Sequence, residues 1–210
     1  MSEVSETDRG TGERLRAVTI GEPAVLAAPI VLIEYDQGWP RLFTVESARI
    51  AVALGERAVT VEHVGSTSVP GLVAKPIIDI LLVVADSIDE RSYVPAMEQA
   101  GYVLRIREPH WHQHRMFRGP EAAANVHVFS DGCVESDRML SFRDHLRSNP
   151  SDRQLYQWSK RELAQRTWQY AQDYADAKSA VVEDILSRCG QLAIQPDVLR
   201  RHCVHATEGS

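Results

Sequence analysis

The sequence predicts an α/β fold of the α+β kind: a small mixed β-sheet flanked by helices, followed by a helical C-terminal segment. Three observations predict it. Ala58 to Val64 and Ile77 to Val84 are apolar, β-branched runs separated by small residues, so they read as strand, turn and strand. From Glu135 onward, apolar residues recur at three-to-four spacing, the period of a helix face. The chain has 210 residues, 44% of them apolar and 25% charged, which suffices for one core of ordinary size.

Met1 to Gly12 is rich in Ser, Glu, Thr and Gly and buries too little apolar surface to offset chain entropy, so residues 1–14 are expected to be a disordered tail. Leu15 to Ala28 is ambiguous. A single domain is expected over residues 30–190, beginning with Ile30 to Tyr35 as a strand or extended lead-in. Trp39-Pro40 opens a helix through Leu54, since proline in the first turn lacks only an N–H that would be unpaired anyway; Phe43, Val45, Ala48, Ile50, Ala51 and Leu54 mark its apolar side.

After the strand pair, Asp86 to Gly101 is predicted helical, with Gly101 as its stop. Tyr102 to Arg107 and Arg115 to Arg118 are predicted strands around a polar turn, and Val126 to Ser130 is a further one. Ser136 to Arg147, Ser151 to Thr167 and Tyr170 to Cys189 are predicted helices. Residues 195–210, with Arg200, Arg201, His202 and His205, suggest a loose tail or an extra helix.

Net charge is −6 and the estimated pI about 5.8, which argues against a broad nucleic-acid surface. Apolar runs fall short of the roughly 18 residues expected of a membrane span, and the acidic start lacks the features of a secretory signal, so a cytoplasmic location and no membrane partner are expected. Three cysteines, Cys133, Cys189 and Cys203, without CxxC spacing imply neither a disulfide framework nor a zinc knuckle.

The chemistry concentrates in the turn. Gly65, Ser66, Thr67, Ser68 and Gly71 have small side chains that let backbone N–H groups and hydroxyls approach an anion. Asp79 interrupts the second strand and needs a partner to remain charged there. Lys75 precedes Pro76 and can reach back toward phosphate, with Arg115 and Arg118 as less specifically placed cations. His110, His112 and His114 are spaced by two, but a solvated loop explains them better than a metal box.

Gly65-Ser66 followed thirteen residues later by Asp79 resembles the signature of the nucleotidyltransferase superfamily, in which the Gly-Ser pair holds the β and γ phosphates and the strand Asp binds Mg²⁺. The nineteen residues Glu62 to Ile80 more specifically resemble the hallmark of the GrpB family, usually placed in that superfamily. Tyr35-Asp36, Trp39-Pro40, Phe43, Asn125 to Phe129, Phe142 to Arg147, Pro150, Tyr156, Lys160, Tyr174 and Lys178 fit the same family, over roughly Val31 to Arg188.

This resemblance implies a nucleotidyltransferase-like fold and a function to match: transfer of a nucleotidyl group from ATP or another nucleoside triphosphate, with Mg²⁺ or Mn²⁺, to a small-molecule acceptor. Asp79, Ser66 and Lys75 would be catalytic. Phosphate and nucleotide would be held by Gly65, Ser66, Thr67, Ser68, Lys75, Arg115, Arg143, Tyr156, Lys160 and Lys178. In the superfamily a second metal carboxylate stands two residues after the first; here that position is Leu81. Glu62 is the expected substitute, and His127 stands where the resemblance puts a third acidic ligand, giving an implied metal set of Asp79, Glu62 and His127. Two alternatives remain: an ATP-dependent amide ligase working through an acyl adenylate, and a degenerate nucleotide-binding or scaffold domain.

Overall fold

The computed structural model describes residues 6–192 apart from Ala24 and Ala27; within them five strands form one sheet covered by seven helices. From edge to edge the sheet runs β1 (Thr60–Val64), β2 (Ile78–Val84), β5 (Ala124–Ser130), β4 (His114–Arg118) and β3 (Val103–Glu108). β2 and β5 are parallel, and the other neighbours are antiparallel. The mixed α/β architecture is therefore the one expected. β2 is almost wholly buried, in keeping with its near-continuous apolar run.

One face packs against α2 (Trp39–Leu54) and α3 (Glu90–Gln99). Ile50, Leu54, Tyr93 and Met97 meet Ile80, Leu82, Val84, Val126, Val128 and Phe117 there. The other face is divided. Leu81, Val83 and Phe129 pack against Met139 and Leu140 of α4 (Val134–Ser148), while the loop after β1 is gripped by a second cluster, Val69, Leu72, Leu146, Tyr156 and Ile185. Helices α5 (Pro150–Ala164), α6 (Ala171–Ala177) and α7 (Ser179–Leu192) complete that side.

Helix α2 spans the residues expected, with Pro40 in its first turn. Two expectations change. Residues 6 onward form α1 (Glu6–Val18) in place of disorder, because contacts distant in sequence hold it: Leu15 is buried, the Ile20 N–H donates to the Arg105 carbonyl at 2.8 Å, and Arg14 pairs with Asp176 at 2.5 Å. The helix expected from Tyr170 to Cys189 is two helices separated by Lys178. Ile30 to Tyr35 takes the extended form of the two expected, bridged at Ile33–Ala74 and packed on the core through Tyr35. Residues 1–5 and the tail at 195–210 lie outside the described residues.

The load of this core falls on β2. Leu82→Ala, at a fully buried position, is expected to cost about 2–5 kcal/mol of unfolding free energy, read as a lower urea midpoint with an unchanged slope.

Candidate functional site

Strand register decides which side chains share a face, because directly opposed residues point the same way. Val64, Asp79, Asn125 and Arg118 form one row across β1, β2, β5 and β4. Glu62, Leu81, His127 and Met116 form the next. All eight lie on the face turned toward α4 to α7, away from α2 and α3. Arg115 opposes Val128, which belongs to the other face. It is buried against Glu90 at 2.5 Å and is thereby removed from the phosphate candidates; Arg118 is the β4 arginine on the correct face.

The turn wraps directly onto Asp79. Gly65 has φ of +68°, and a Cβ built on it would stand 2.5 Å from Asp79 Oδ2 and 2.9 Å from its Cβ. Glycine is thus required twice, by conformation and by space. Ser66 to Ser68 then make a single 3₁₀ turn, closed by the Ser68 hydroxyl donating to the Gly65 carbonyl at 2.6 Å. Asp79 accepts from the Asn125 amide at 3.1 Å and lies 3.7 Å from His127 Nε2. Burial pushes its carboxyl up, but His127, Asn125 and the Lys75 charge together hold it below the usual carboxylate range.

Three lysines gather around Asp79. Lys160 of α5, only 2% exposed, donates to Ser66 Oγ at 2.9 Å and to the Val73 carbonyl, and its ammonium lies 4.8 Å from the Tyr156 ring centroid. Lys178, from the break between α6 and α7, and Lys75 both stand over the Tyr174 ring, at 4.8 and 5.7 Å. Burial lowers the pKa of all three; the Lys178 charge pushes Lys75 and Lys160 further down, and Asp79 opposes the fall. The Tyr156 hydroxyl is pushed up to about 12, chiefly by burial. Among the described residues the buried Tyr174 hydroxyl has no hydrogen-bond partner. Ser66, Lys75, Tyr156, Lys160 and Lys178 are therefore brought together around Asp79.

A hydrogen-bonded chain that the sequence did not suggest ends at His127, beside the same carboxylate. Glu108 Oε2 lies 2.7 Å from His114 Nδ1, and His114 Nε2 lies 3.1 Å from His127 Nδ1. Burial pushes His114 down to about 4, so at neutral pH it has one donor and one acceptor nitrogen. If Nδ1–H donates to Glu108, Nε2 must accept from His127, leaving His127 Nε2 to face Asp79. His114 is thus a buried sheet residue, not part of a solvated loop; its position across from Glu108 is a matter of register, and no local pattern carries it.

Glu62 and Arg143 sit elsewhere. Leu81 stands between Glu62 and His127 in their row, and Glu62 bonds Arg143 Nη1 at 2.7 Å. Arg143 also donates to Asp144 and to the His63 carbonyl. Its guanidinium faces the far side of the turn from the lysines. Asp79, Glu62 and His127 therefore do not converge, and among the described residues no group of three or more His, Cys, Asp or Glu side chains is placed to hold a metal ion. Thr67 bonds His63 Nε2 at 3.0 Å and stays within the turn's own network.

The fold and this face define a mixed α/β protein whose glycine-serine turn, strand aspartate and buried lysines form one polar centre. Its family follows from comparison. The family model described as "GrpB protein" matches residues 29–188, so the chain belongs to the GrpB family. A UPF0157 protein of Halalkalibacterium halodurans is 57% identical over 188 residues, 90% of this chain and 96% of that one. The crystal structure of the conserved protein GrpB from Enterococcus faecalis superposes with a TM-score of 0.67 at 32% identity, covering 79% of this chain and all of that one. A protein of Mycolicibacterium paratuberculosis named dephospho-CoA kinase is 30% identical over 168 residues, 68% of this chain but 41% of the kinase.

Gly65→Ala is expected to displace Asp79 and lower the melting temperature by several degrees, in a thermal scan beside Gly71→Ala, where an added Cβ meets nothing within 4 Å. A pH dependence follows from His63, which stacks on Phe43 and which burial and the Arg147 and Arg143 charges lower to about 4 despite Asp79. The unfolded imidazole takes up its proton at about 6.5. Stability should therefore fall as pH drops from about 6.5 toward 4, by on the order of 3 kcal/mol from this group, and level off below. Urea titrations across that range should show a shallower slope in His63→Gln.

Proposed function

We propose that this chain binds the polyphosphate of a nucleotide, ATP or another nucleoside triphosphate, at the Gly65–Ser68 turn and transfers its nucleotidyl group to a small-molecule acceptor. The observation that carries this reading is a charge imbalance: three buried or half-buried lysines, Lys160 bonded to Ser66 and Lys75 and Lys178 over the Tyr174 ring, gather around the Asp79 carboxylate. Ammonium groups withdrawn from water are costly unless an anion meets them, and a polyphosphate supplies several charges in a row. The unpaired Tyr174 hydroxyl would gain a partner in the same event.

Asp79 with His127 beside it suits a divalent cation, Mg²⁺ or Mn²⁺, that arrives with phosphate oxygens as further ligands; a single carboxylate does not suit a free pair of ions. When bound, such an ion would neutralise charge on the reacting phosphate. The protein's own contribution is positional. Lys160 orients the Ser66 hydroxyl, Lys75 and Lys178 draw the terminal phosphates toward the Tyr174 side, and the apolar cluster behind the turn keeps Ser66 to Ser68 from moving as charge develops. Leu81 favours a second reading, binding without transfer, because it leaves the usual place of a second carboxylate apolar. Release of pyrophosphate on adding acceptor separates the two.

Asp79→Asn and Lys160→Met test the binding step. Calorimetric titration of Mg²⁺-ATP, GTP, CTP and UTP should show one triphosphate bound by the parent and weakened at least about tenfold in each variant. Lys160→Met removes a desolvated charge but leaves the Val73 carbonyl without its donor, so it should melt somewhat below the parent, and binding is compared at a temperature where both proteins are folded. Equal binding in both variants would remove this turn from the reading.

A further inference from the structure

On the far side of the phosphate turn lies a cavity of about 490 Å³, within the roughly 300–1,000 Å³ of small-molecule sites. It opens at the free edge of β1, between the start of α2 and the end of α4. Phe43 and Pro40 provide an apolar wall, with His63 stacked parallel on Phe43 at 4.9 Å. Arg143, Arg147 and Arg153 provide the other wall. Ser68 links it to the turn, because Arg147 donates twice to the Ser68 carbonyl, at 3.0 and 2.9 Å.

The donors of this wall are unequally engaged. Arg143 is largely engaged by Glu62, Asp144 and the His63 carbonyl, through Nε, Nη1 and Nη2. Arg153 uses only Nη1, on the Leu146 and Arg147 carbonyls, and among the described residues its Nε and Nη2 have no partner. Arg147 Nη1 has a 3.4 Å contact with the half-exposed Asp144. Three guanidinium groups facing the Glu62 and Asp144 carboxylates leave one positive charge unmatched, which fits a monoanion better than a phosphate dianion.

We propose that this cavity binds a small monocarboxylic acid with a flat, apolar body, its carboxylate on Arg147 and Arg153 and its body against Phe43 and Pro40. The Gly65–Ser68 turn stands between this acid and the nucleotide of the reading above, with Ser66 on the lysine side and Ser68 on the arginine side, so the acid occupies a second ligand site rather than the position of an attacking group.

The test uses the full chain, with benzoate as probe and neutral, near-isosteric benzamide as control, following arginine Nε–H signals by NMR while each compound is titrated. Benzoate should shift the Arg147 and Arg153 signals and bind at least about tenfold more tightly than benzamide, and Arg153→Gln should reduce benzoate binding by a similar factor. Equal binding of the two probes by the parent, or no shift with benzoate at tens of millimolar, overturns the proposal without reliance on any variant. Mg²⁺-ATP titrated into the same samples keeps the two ideas apart. Benzoate binding without triphosphate binding supports the acid site and defeats the nucleotide reading, whereas triphosphate binding without benzoate binding defeats the acid site alone.

Discussion

Asp79 holds a charge against the middle of a sheet, and the surrounding arrangement follows from keeping it there. Its register partner on β5 is Asn125, whose amide donates to it, and the next residue along that face is His127. Its register partner on β1 is Val64, so the following residue must turn across the carboxylate, and the space there admits no side chain at Gly65. From that point the chain is committed to a tight turn in which Ser66 faces α5. Lys160 then meets Ser66 from a helix nearly a hundred residues later in the sequence, and its burial is tolerable because Asp79 offsets part of the cost. One carboxylate thus fixes the glycine, the turn and the placement of the C-terminal helices.

The Gly65–Ser68 turn is a partition with differently charged rooms on its two sides. Toward α5 and α6 the groups are lysines on tyrosine rings, compact cations suited to several successive anionic oxygens. Toward α4 they are arginines already tied to carboxylates and carbonyls, suited to one planar anion. The two helices that supply these cations are adjacent in sequence, α4 with Arg143 and Arg147 and α5 with Lys160, and they are anchored to each other by buried His145 and Asp152 at 2.6 Å. Movement at one side would therefore be transmitted to the other through a short, well-bonded hairpin of helices.

Much of this was legible in the sequence, for reasons that differ by residue. The strands, α2 and the turn were readable because apolar runs, a proline at a helix start and a cluster of small residues act locally. Asp79, Ser66, Lys75, Lys160 and Lys178 were nameable from the family resemblance and do share one centre. Register is what the sequence could not supply. It separates Glu62 from His127 by Leu81, places Arg115 on the opposite face against Glu90, and aligns His114 with Glu108 and His127. Tertiary contact likewise orders α1, where a polar, glycine-containing segment gains a buried Leu15 and a bridge from Thr19 to Ile106.

The parallel pairing of β2 with β5 has a kinetic consequence. These strands lie side by side, yet α3, β3 and β4 all intervene between them in the chain, so closing the pair carries the loop-closure entropy of the whole excursion. Pairings of such sequence separation slow folding. The β1–β2 pair forms with only residues 65–77 between its strands, which places Gly65 over Asp79 early; Asn125 and His127 arrive only when β5 inserts. The polar centre is then among the last parts of the molecule to assemble, so its completion reports that the entire sheet has formed.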